Sequence, residues 1–437
     1  MRQPYPSYKD SGMEWIDKLP AEWSTLPLRA LARPGKDTFI DGDWVETPYI
    51  TDDGIRLLQT GNIGLGIYRE QGFRFISPET FGELDCTEVS PGDILICRLA
   101  EPVGRACLAP NLGFRMITSV DVCILKPSSE MSSPFVVYAL TSPDYLGYMA
   151  AQCRGGTRDR VSRSFLGRVH VPVPSLPEQR VIAAFLDRET GKIDALVEEQ
   201  RRLIALLKEK RQAVISHAVT KGLDPDAPIK PSGIDWLGDI PEHWTVNKLG
   251  RAVPNISSGT TPQSEEPLYY EGGTIPWINT GDLNDGYLVN CGKNITKSAI
   301  FDHTSLKMYS PGALVIAMYG ATIGRLSIIQ FEACVNQACC VITRSDQLEI
   351  QFLFYWFVTF RSRIITLASG GGQPNISQNV IRNLKLALPP KDEQRDIATC
   401  LDRKTSKLDA LISEAETAIE LLQERRSALI SAVVTGK

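Results

Sequence analysis

Two glycine-containing segments, one in each half of the chain, carry side chains that suit contact with a polyanion. Between Arg154 and Arg168 five arginines accompany one acidic residue, Asp159, and Gly155-Gly156 lets a ligand approach the backbone closely. A solvated basic loop is the alternative, but the clustering beside glycines favours a polyanion contact. The candidate contact residues of this segment are Arg154, Thr157, Arg158, Arg160 and Arg163.

The matching segment of the second half, residues 369–379, keeps the Gly-Gly pair but carries amides in place of guanidinium groups. Arginine favours guanine O6 and N7 in the DNA major groove, whereas Asn and Gln suit adenine N6 and N7. Two equivalent segments of different chemistry therefore predict that two different short base sequences are read. The candidates of this segment are Gln373, Asn375, Gln378 and Asn379.

Further candidates lie in the turns after two Pro-Gly strands. The net charge of −4 argues against a chain that is basic throughout, so affinity for DNA must come from such local clusters. Residues 60–62 and 280–282 are also turns by composition, and we expect them to be structural. The candidates in the turns are Arg98 and Arg105 in the first half and Thr322 and Arg325 in the second.

The sequence lacks the usual motifs of catalysis and metal binding. It has no Gly-x-x-x-x-Gly-Lys-Ser/Thr phosphate loop, no Glu-x-Lys nuclease signature and no Gly-x-Ser-x-Gly nucleophile turn. The ten cysteines form no Cys-x-x-Cys pair and have no histidine at metal-ligand spacing, so we expect reduced core thiols. We therefore expect no catalytic residue, metal or cofactor in this chain, and we expect it to bind rather than to catalyse.

The elements that position these segments come in two copies. Residues 11–15 and 232–236 share Ser-Gly-x-x-Trp, and residues 178–222 align without a gap on 393–437 with 24 of 45 positions identical. Each copy is a globular part followed by a 45-residue segment. We divide the chain into a first globular domain (1–175), a first helix (176–222), a linker (223–228), a second globular domain (229–389) and a second helix (390–437).

The globular domains combine strands and helices. Short apolar runs such as 93–97 and 313–317 predict buried strands, and residues 133–148 and 348–367 predict helices, which makes the fold class α+β. The most hydrophobic segment, 352–358, is too short to cross a bilayer, and the N-terminal residues do not have the pattern of a signal peptide. We therefore expect a soluble, cytoplasmic protein that does not contact a membrane.

The repeated 45-residue segments predict two long helices with a coiled-coil seam, because apolar residues recur every seven positions with companions between them. Acids and bases in nearly equal numbers flank this stripe, which favours pairing of the two helices over packing of each on its own domain. The predicted pairing residues are Leu186, Ile193, Leu196, Leu203, Leu207 and Val214 in the first helix and Leu401, Leu408, Leu411, Leu422 and Leu429 in the second.

Both helices contain Glu-Gln-Arg near the start, followed by Leu-Asp-Arg-x-Thr-x-Lys-Ile/Leu-Asp-Ala-Leu. Two dissimilar globular domains, each followed by such a helix, resemble the specificity subunits of type I restriction-modification systems. The resemblance covers essentially the whole chain. It implies two target-recognition domains, related by a pseudo-two-fold axis and separated by an antiparallel pair of helices.

The resemblance also implies partners. These are double-stranded DNA, two adenine methyltransferase subunits that use S-adenosylmethionine, and two restriction subunits that use ATP and Mg. The chain itself is then not an enzyme, although the complex methylates and cleaves DNA. Because methylation requires an adenine in each half-site, the arginine-rich segment cannot read guanine alone.

Two other functions stay open at this point. The chain could be a coiled-coil scaffold or regulator of another DNA-processing complex, with residues 154–168 docking an acidic protein. It could also be an unrecognised nuclease, for which the sequence supplies no set of carboxylates.

Overall fold

The chain folds into two compact units. The computed structural model describes residues 5–99, 102–153, 159–368 and 375–437. One unit comprises residues 1–201 and 416–437, and the other comprises residues 202–415. The boundary between the units falls inside both long helices, so each unit contains one globular domain, the first part of the helix that follows it and the last part of the other helix.

The first unit contains eleven named strands in its described part. They are β1 (Tyr8–Met13), β2 (Ile16–Pro20), β3 (Ser24–Pro27), β4 (Phe39–Asp41), β5 (Ile55–Leu58), β6 (Phe75–Ile76), β7 (Ile94–Cys97), β8 (Ala106–Leu108), β9 (Met116–Thr118), β10 (Val122–Leu125) and β11 (His170–Val173). Its helices are α1 (Pro78–Glu83), α2 (Ser133–Ala139), α3 (Pro143–Ala151), α4 (Arg163–Leu166) and the start of α5 (Leu176–Lys221).

Two sheets form the centre of this domain. One has the strand order β4-β10-β7-β8 with antiparallel pairing, and in the other β5 lies between antiparallel β6 and parallel β9. Every residue of β7 and β10 is buried. This burial explains their continuous apolar sequences, because both faces of these strands are covered. The parallel pair places the carboxyl ends of β5 and β9 at the same edge, where the turns after them meet.

The second unit repeats this plan. Its strands are β12 (Ile229–Pro231), β13 (Asp239–Pro241), β14 (Thr245–Lys248), β15 (Ile256–Ser258), β16 (Ile275–Ile278), β17 (Tyr287–Leu288), β18 (Asn294–Ile295), β19 (Leu314–Ala317), β20 (Leu326–Ile329), β21 (Cys334–Val335), β22 (Cys339–Ile342) and β23 (Lys385–Leu388). Its helices are α6 (Leu249–Ala252), α7 (Lys297–Asp302), α8 (Ile350–Thr366), α9 (Gln378–Asn383) and most of α10 (Lys391–Val434). The order β15-β22-β19-β20-β17 matches the first sheet, with one strand added, and β16 pairs in parallel with β21.

The predicted strands at 93–97 and 313–317 are β7 and β19, and the predicted helix at 348–367 is α8. The single helix predicted over 133–148 is wrong. Two helices, α2 and α3, stand there because Pro143 opens the second one after Ser142, whose backbone is extended.

The tryptophans that recur in both copies anchor the two cores. Trp23 and Trp244 are buried and meet Phe135 and Phe352 edge to face, with ring centroids 6.5 and 6.4 Å apart. Within the described ranges, no helix is both long enough and apolar enough to span a membrane.

Candidate nucleic-acid interface and helix surfaces

Two of the predicted contact residues in the described part of the basic segment, Arg160 and Arg163, present exposed guanidinium groups. Arg160 forms an isolated β-bridge with Leu99, and its Nη2 lies 2.8 Å from Asp121 Oδ1 while half of the side chain stays exposed. Arg163 begins α4, and its Nε lies 3.8 Å from Asp41 Oδ2. Pairs this exposed are weak, so either arginine can bind a phosphate instead. Four other candidates lie outside the described residues: Arg154, Thr157, Arg158 and Gln373.

Arg98 is buried, and the prediction that it contacts DNA is wrong for this reason. The residue is 4% exposed. Its guanidinium pairs with Asp41 at 2.9 Å and donates to the carbonyls of Val120 (2.6 Å) and Val161 (3.1 Å). Arg98 therefore holds the turn after β9 against the segment that carries Arg160, and it supports the candidate interface from inside the domain.

Arg105 is a second buried support, and the prediction of direct contact is wrong for it too. It is 8% exposed and donates to the carbonyls of Thr60 (2.8 Å), Ile63 (2.6 Å) and Pro102 (3.0 Å). These bonds fix the turn at 60–62, which the sequence correctly predicts to be structural. A buried arginine at the end of a strand satisfies loop carbonyls that would otherwise lack donors.

The amide segment of the second domain is partly accessible. Asn375 is exposed, and Asn379 is exposed with its Oδ1 accepting a hydrogen bond from Asn383 Nδ2 at 3.0 Å. Gln378 is half-buried and donates its amide to the Ile256 carbonyl, so this side chain supports the segment. In the turn that follows β19, Arg325 is exposed and Thr322 is half-buried.

The two segments occupy the same place in the two domains. Arg160 bridges to Leu99, and Asn375 bridges to Tyr319 at the corresponding position of the repeat. In both domains a serine then caps the next short helix, Ser162 for α4 and Ser377 for α9. One framework thus presents an arginine in one domain and an amide in the other.

The helix seam is only partly as predicted. The prediction is wrong for Leu196, Leu203 and Leu411, which are 45%, 43% and 47% exposed. Their neighbours Val197 and Ile412 are buried instead, because the companion of each seam residue lies four positions further along and not three. The other predicted residues are buried (Leu186, Ile193, Leu207, Leu401, Leu408) or half-buried (Val214, Leu422, Leu429).

Within each unit the two helices pair in antiparallel fashion. In the first unit Leu186 shares a core cluster with Ile430, and further along α5 Asp194 pairs with Arg426, which precedes Ile430 on α10. In the second unit Ile215 shares a cluster with Leu401, and Leu207 shares one with Ile412. The predicted pairing of the helices is therefore confirmed inside each unit.

Each unit has one copy of the same interhelical ion pair. Asp194 binds Arg426 in the first unit, and Asp409 binds Arg211 in the second, both with Nε–Oδ1 distances of 2.8 Å. The two aspartates occupy equivalent positions of the repeated helices, as do the two arginines. The two helices have the same residue at each of these positions, and this identity is the feature of the sequence from which the ion pairs could have been predicted.

The repeated Glu-Gln-Arg motif has a structural role at the start of each helix. Gln179 is 1% exposed, donates to the Pro174 carbonyl at 2.9 Å and accepts from Ser132 N–H at 2.8 Å. Gln394 makes the same two bonds with Pro389 and Glu349. Each glutamine thereby fastens its long helix to the helical part of its own domain.

A cleft of the same construction lies in each unit beside the ion pair. In the first unit it measures about 270 Å³, and Tyr138 donates to Asp187 Oδ1 at 2.7 Å inside it. In the second it measures about 310 Å³, and Tyr355 donates to Asp402 Oδ1 at 2.6 Å. Burial raises the pKa of Tyr138 to about 12, so its hydroxyl stays a donor at neutral pH.

The described residues contain no group of three or more His, Cys, Asp or Glu side chains that could hold a metal ion. Burial raises the pKa of the thiols of Cys107, Cys123, Cys339 and Cys340 to about 12. These thiols are protonated at neutral pH and pack as small apolar groups.

A protein-family model described as "Type I restriction modification DNA specificity domain" matches the chain twice, over residues 44–204 and 241–421. The StySPI specificity subunit of Salmonella potsdam is 22% identical over 436 residues, covering 96% of this chain and 90% of that protein. The MjaIX specificity subunit of Methanocaldococcus jannaschii is 23% identical over 440 residues, covering 97% and 95%.

Two solved structures share the fold. One, described as "Structural basis underlying complex assembly and conformational transition of the type I R-M system", has a TM-score of 0.75 at 18% identity and covers 96% of this chain and 99% of that one. The HsdS subunit from Thermoanaerobacter tengcongensis has a TM-score of 0.57 at 18% identity, with coverages of 96% and 98%.

Proposed function

Because this chain belongs to the family of type I restriction-modification DNA specificity subunits, we propose that its two target-recognition domains read the two halves of one bipartite, asymmetric DNA sequence. The family role is non-catalytic. In the proposed complex, methyltransferase subunits modify adenine with S-adenosylmethionine, and restriction subunits use ATP and Mg to translocate and cleave DNA. A subunit that reads chromosomal DNA in this way would work in the cytoplasm.

The single observation that carries the proposal is the matched pair of bridges at Arg160 and Asn375. A shared framework with different side chains is what two unlike half-sites require, because guanidinium and amide groups favour different base edges. Exposed Arg163 and Arg325 add charge that can bind neighbouring phosphates.

Duplication of the helix surfaces supports a partner that is present twice. The first unit exposes Leu196 and Leu421, and the second exposes Leu411 and Leu206 at the equivalent positions, each 45% to 62% exposed. Exposed leucines that recur at equivalent positions are suited to docking a protein. We propose that each patch, with the adjoining cleft, seats one methyltransferase subunit and that two restriction subunits join the complex.

We also propose that the paired helices set the length of the unread spacer between the half-sites. Two domains that approach the same side of a duplex bind half-sites about one helical turn apart, roughly 10 base pairs. Lengthening or shortening both helices by a few residues should then change the spacer and leave both half-sites as they are.

Deletion of the gene tests the proposal. Genome-wide mapping of N6-methyladenine in the parent strain should give one bipartite motif that disappears in the deletion strain and returns when the chain is supplied again. Adenine methylation that is unchanged by the deletion would contradict the proposal. A scaffold without sequence reading would instead bind its protein partner but show no preference among DNA sequences.

A further inference from the structure

A buried arginine holds an exposed loop of the first domain in shape. Arg56, on β5, is 1% exposed. It donates to the carbonyl of Gln71 at 2.8 Å and to the carbonyls of Gly72 and Arg74 at 3.3 and 3.1 Å. Its guanidinium carbon also lies 5.0 Å from the centroid of the Phe73 ring. One side chain thus fixes most of residues 69–74, which we call the braced loop.

A second set of bonds ties the braced loop to the turn at 60–62. Asn62 donates its amide to the carbonyls of Arg69 and Gln71, both at 2.9 Å, and Gln71 donates back to the Gly61 carbonyl at 2.6 Å. Arg105 fixes the same turn through Thr60. The braced loop therefore belongs to the framework of turns that also carries the basic segment.

The braced loop presents an aromatic side chain that is mostly exposed to solvent. Phe73 is 63% exposed, and the exposed side chains of Arg69 and Arg74 flank it, with Glu70 as the one acid. The described partners of Arg56 are carbonyls and aromatic rings, which leave its charge unneutralised beneath the loop. An aromatic ring on a positively charged, rigid loop suits a DNA duplex, because little ordering entropy is lost on binding.

At the equivalent described positions, the second domain has neither the arginine nor the aromatic ring. Strand pairing places Pro276 opposite Asn294, where the first domain has Arg56 opposite Phe75. Trp277 N–H bonds the Lys293 carbonyl as Leu57 N–H bonds the Arg74 carbonyl, both at 2.9 Å. The residue before each of these carbonyls is therefore Gly292 in one domain and Phe73 in the other. This difference between the halves is of the kind that unlike half-sites need.

We propose that the braced loop is a specificity element of the first half-site, in which Phe73 makes an apolar contact with a base edge and Arg69 and Arg74 bind adjacent phosphates. Arg56 is a positioning residue in this arrangement and does not touch DNA. The inference rests on the proposed function and adds to it the residues that contact one half-site.

The test uses the chain in complex with its methyltransferase partner. Complexes with the wild-type chain, Phe73→Ala and Phe301→Ala select duplexes from a randomised pool, and sequencing gives the base preference at each position. Phe301, on α7 of the second domain, is 86% exposed and controls for the loss of any exposed ring. Phe73→Ala should relax the preference about ten-fold at one or two positions of one half-site, without effect on the other half. Arg56→Lys keeps the positive charge but loses the planar guanidinium that donates to several carbonyls at once. It should relax the base preference at the same positions.

A Phe73→Ala complex with the wild-type preference at every position would overturn the inference and leave the proposed function standing. Equal relaxation by Phe301→Ala, or relaxation in both half-sites, would also overturn it. A wild-type complex that shows no sequence preference would overturn the proposed function, and the inference with it.

Discussion

Arginines of the first domain divide into buried supports and exposed candidates for DNA contact, and burial separates the two groups. The residue type is the same whether a guanidinium satisfies loop carbonyls or faces solvent, so the sequence could not separate Arg98 and Arg105 from Arg160 and Arg163. The number of buried carbonyls around each arginine depends on how distant turns meet, and only the fold determines that.

This division predicts that one substitution lowers stability and that another weakens DNA binding. Arg98→Met should lower the free energy of unfolding by about 1–3 kcal/mol for each buried partner left unsatisfied. Arg160→Ala should leave stability within about 1 kcal/mol, because its ion pair is exposed, and should weaken binding at one half-site by about 1–3 kcal/mol if it contacts a base. Urea unfolding and DNA titration of the methyltransferase complex measure the two effects. Equal DNA affinity for Arg160→Ala and wild type would remove Arg160 from the interface.

Asp43 predicts a pH dependence of stability. Burial raises the pKa of its carboxyl from 3.8 to about 6, although Thr87 N–H donates to it at 3.0 Å. The folded state therefore holds the proton more tightly than the unfolded state, and the stability present below pH 3.8 is lost as the pH rises through about 6.

Asp43→Asn should remove this loss and keep an acceptor for Thr87. The gain in urea midpoint over wild type should be larger at about pH 7.5 than at about pH 5. A gain that is equal at both pH values, or larger at the lower one, would show that the carboxyl does not titrate as described.

At the scale of elements, the long helices were predictable and their seam was not. Apolar residues every seven positions predict the helices and their pairing, and both are found within each unit. Leu196 stands beside Val197 and Leu411 beside Ile412, so two phases of the companion row are equally hydrophobic in the sequence. Only packing against the other helix selects the buried member of each couple.

Neighbouring substitutions on α10 test this assignment. Ile412→Ala should lower the free energy of unfolding by about 2–5 kcal/mol, because it leaves a cavity against Leu207 and Leu408. Leu411→Ala should cost little stability but weaken the association with the methyltransferase subunit. Urea unfolding and co-purification compare the two variants. A larger loss of stability for Leu411→Ala would place the seam where the sequence predicts it.

At the scale of the molecule, the internal repeat was fully visible in the sequence and leads to the domain plan and the family. The sequence did not show that each long helix contributes to both compact units. A heptad pattern predicts that a helix pairs, but it does not predict which domain the C-terminal part of the helix packs against. The shared bridges at Arg160 and Asn375 confirm that the two candidate segments correspond. Their base contacts remain a proposal.

The measurement that tests the central claim most directly is an exchange of residues 1–175 for the corresponding residues of a relative with a different motif. The methylated adenine motif of cells that carry the exchanged chain is then mapped over the genome. The account predicts that one half of the motif changes to that of the relative, while the other half and the spacer stay as in the parent. A change in both halves, or an unchanged motif, would contradict the assignment of one half-site to each domain.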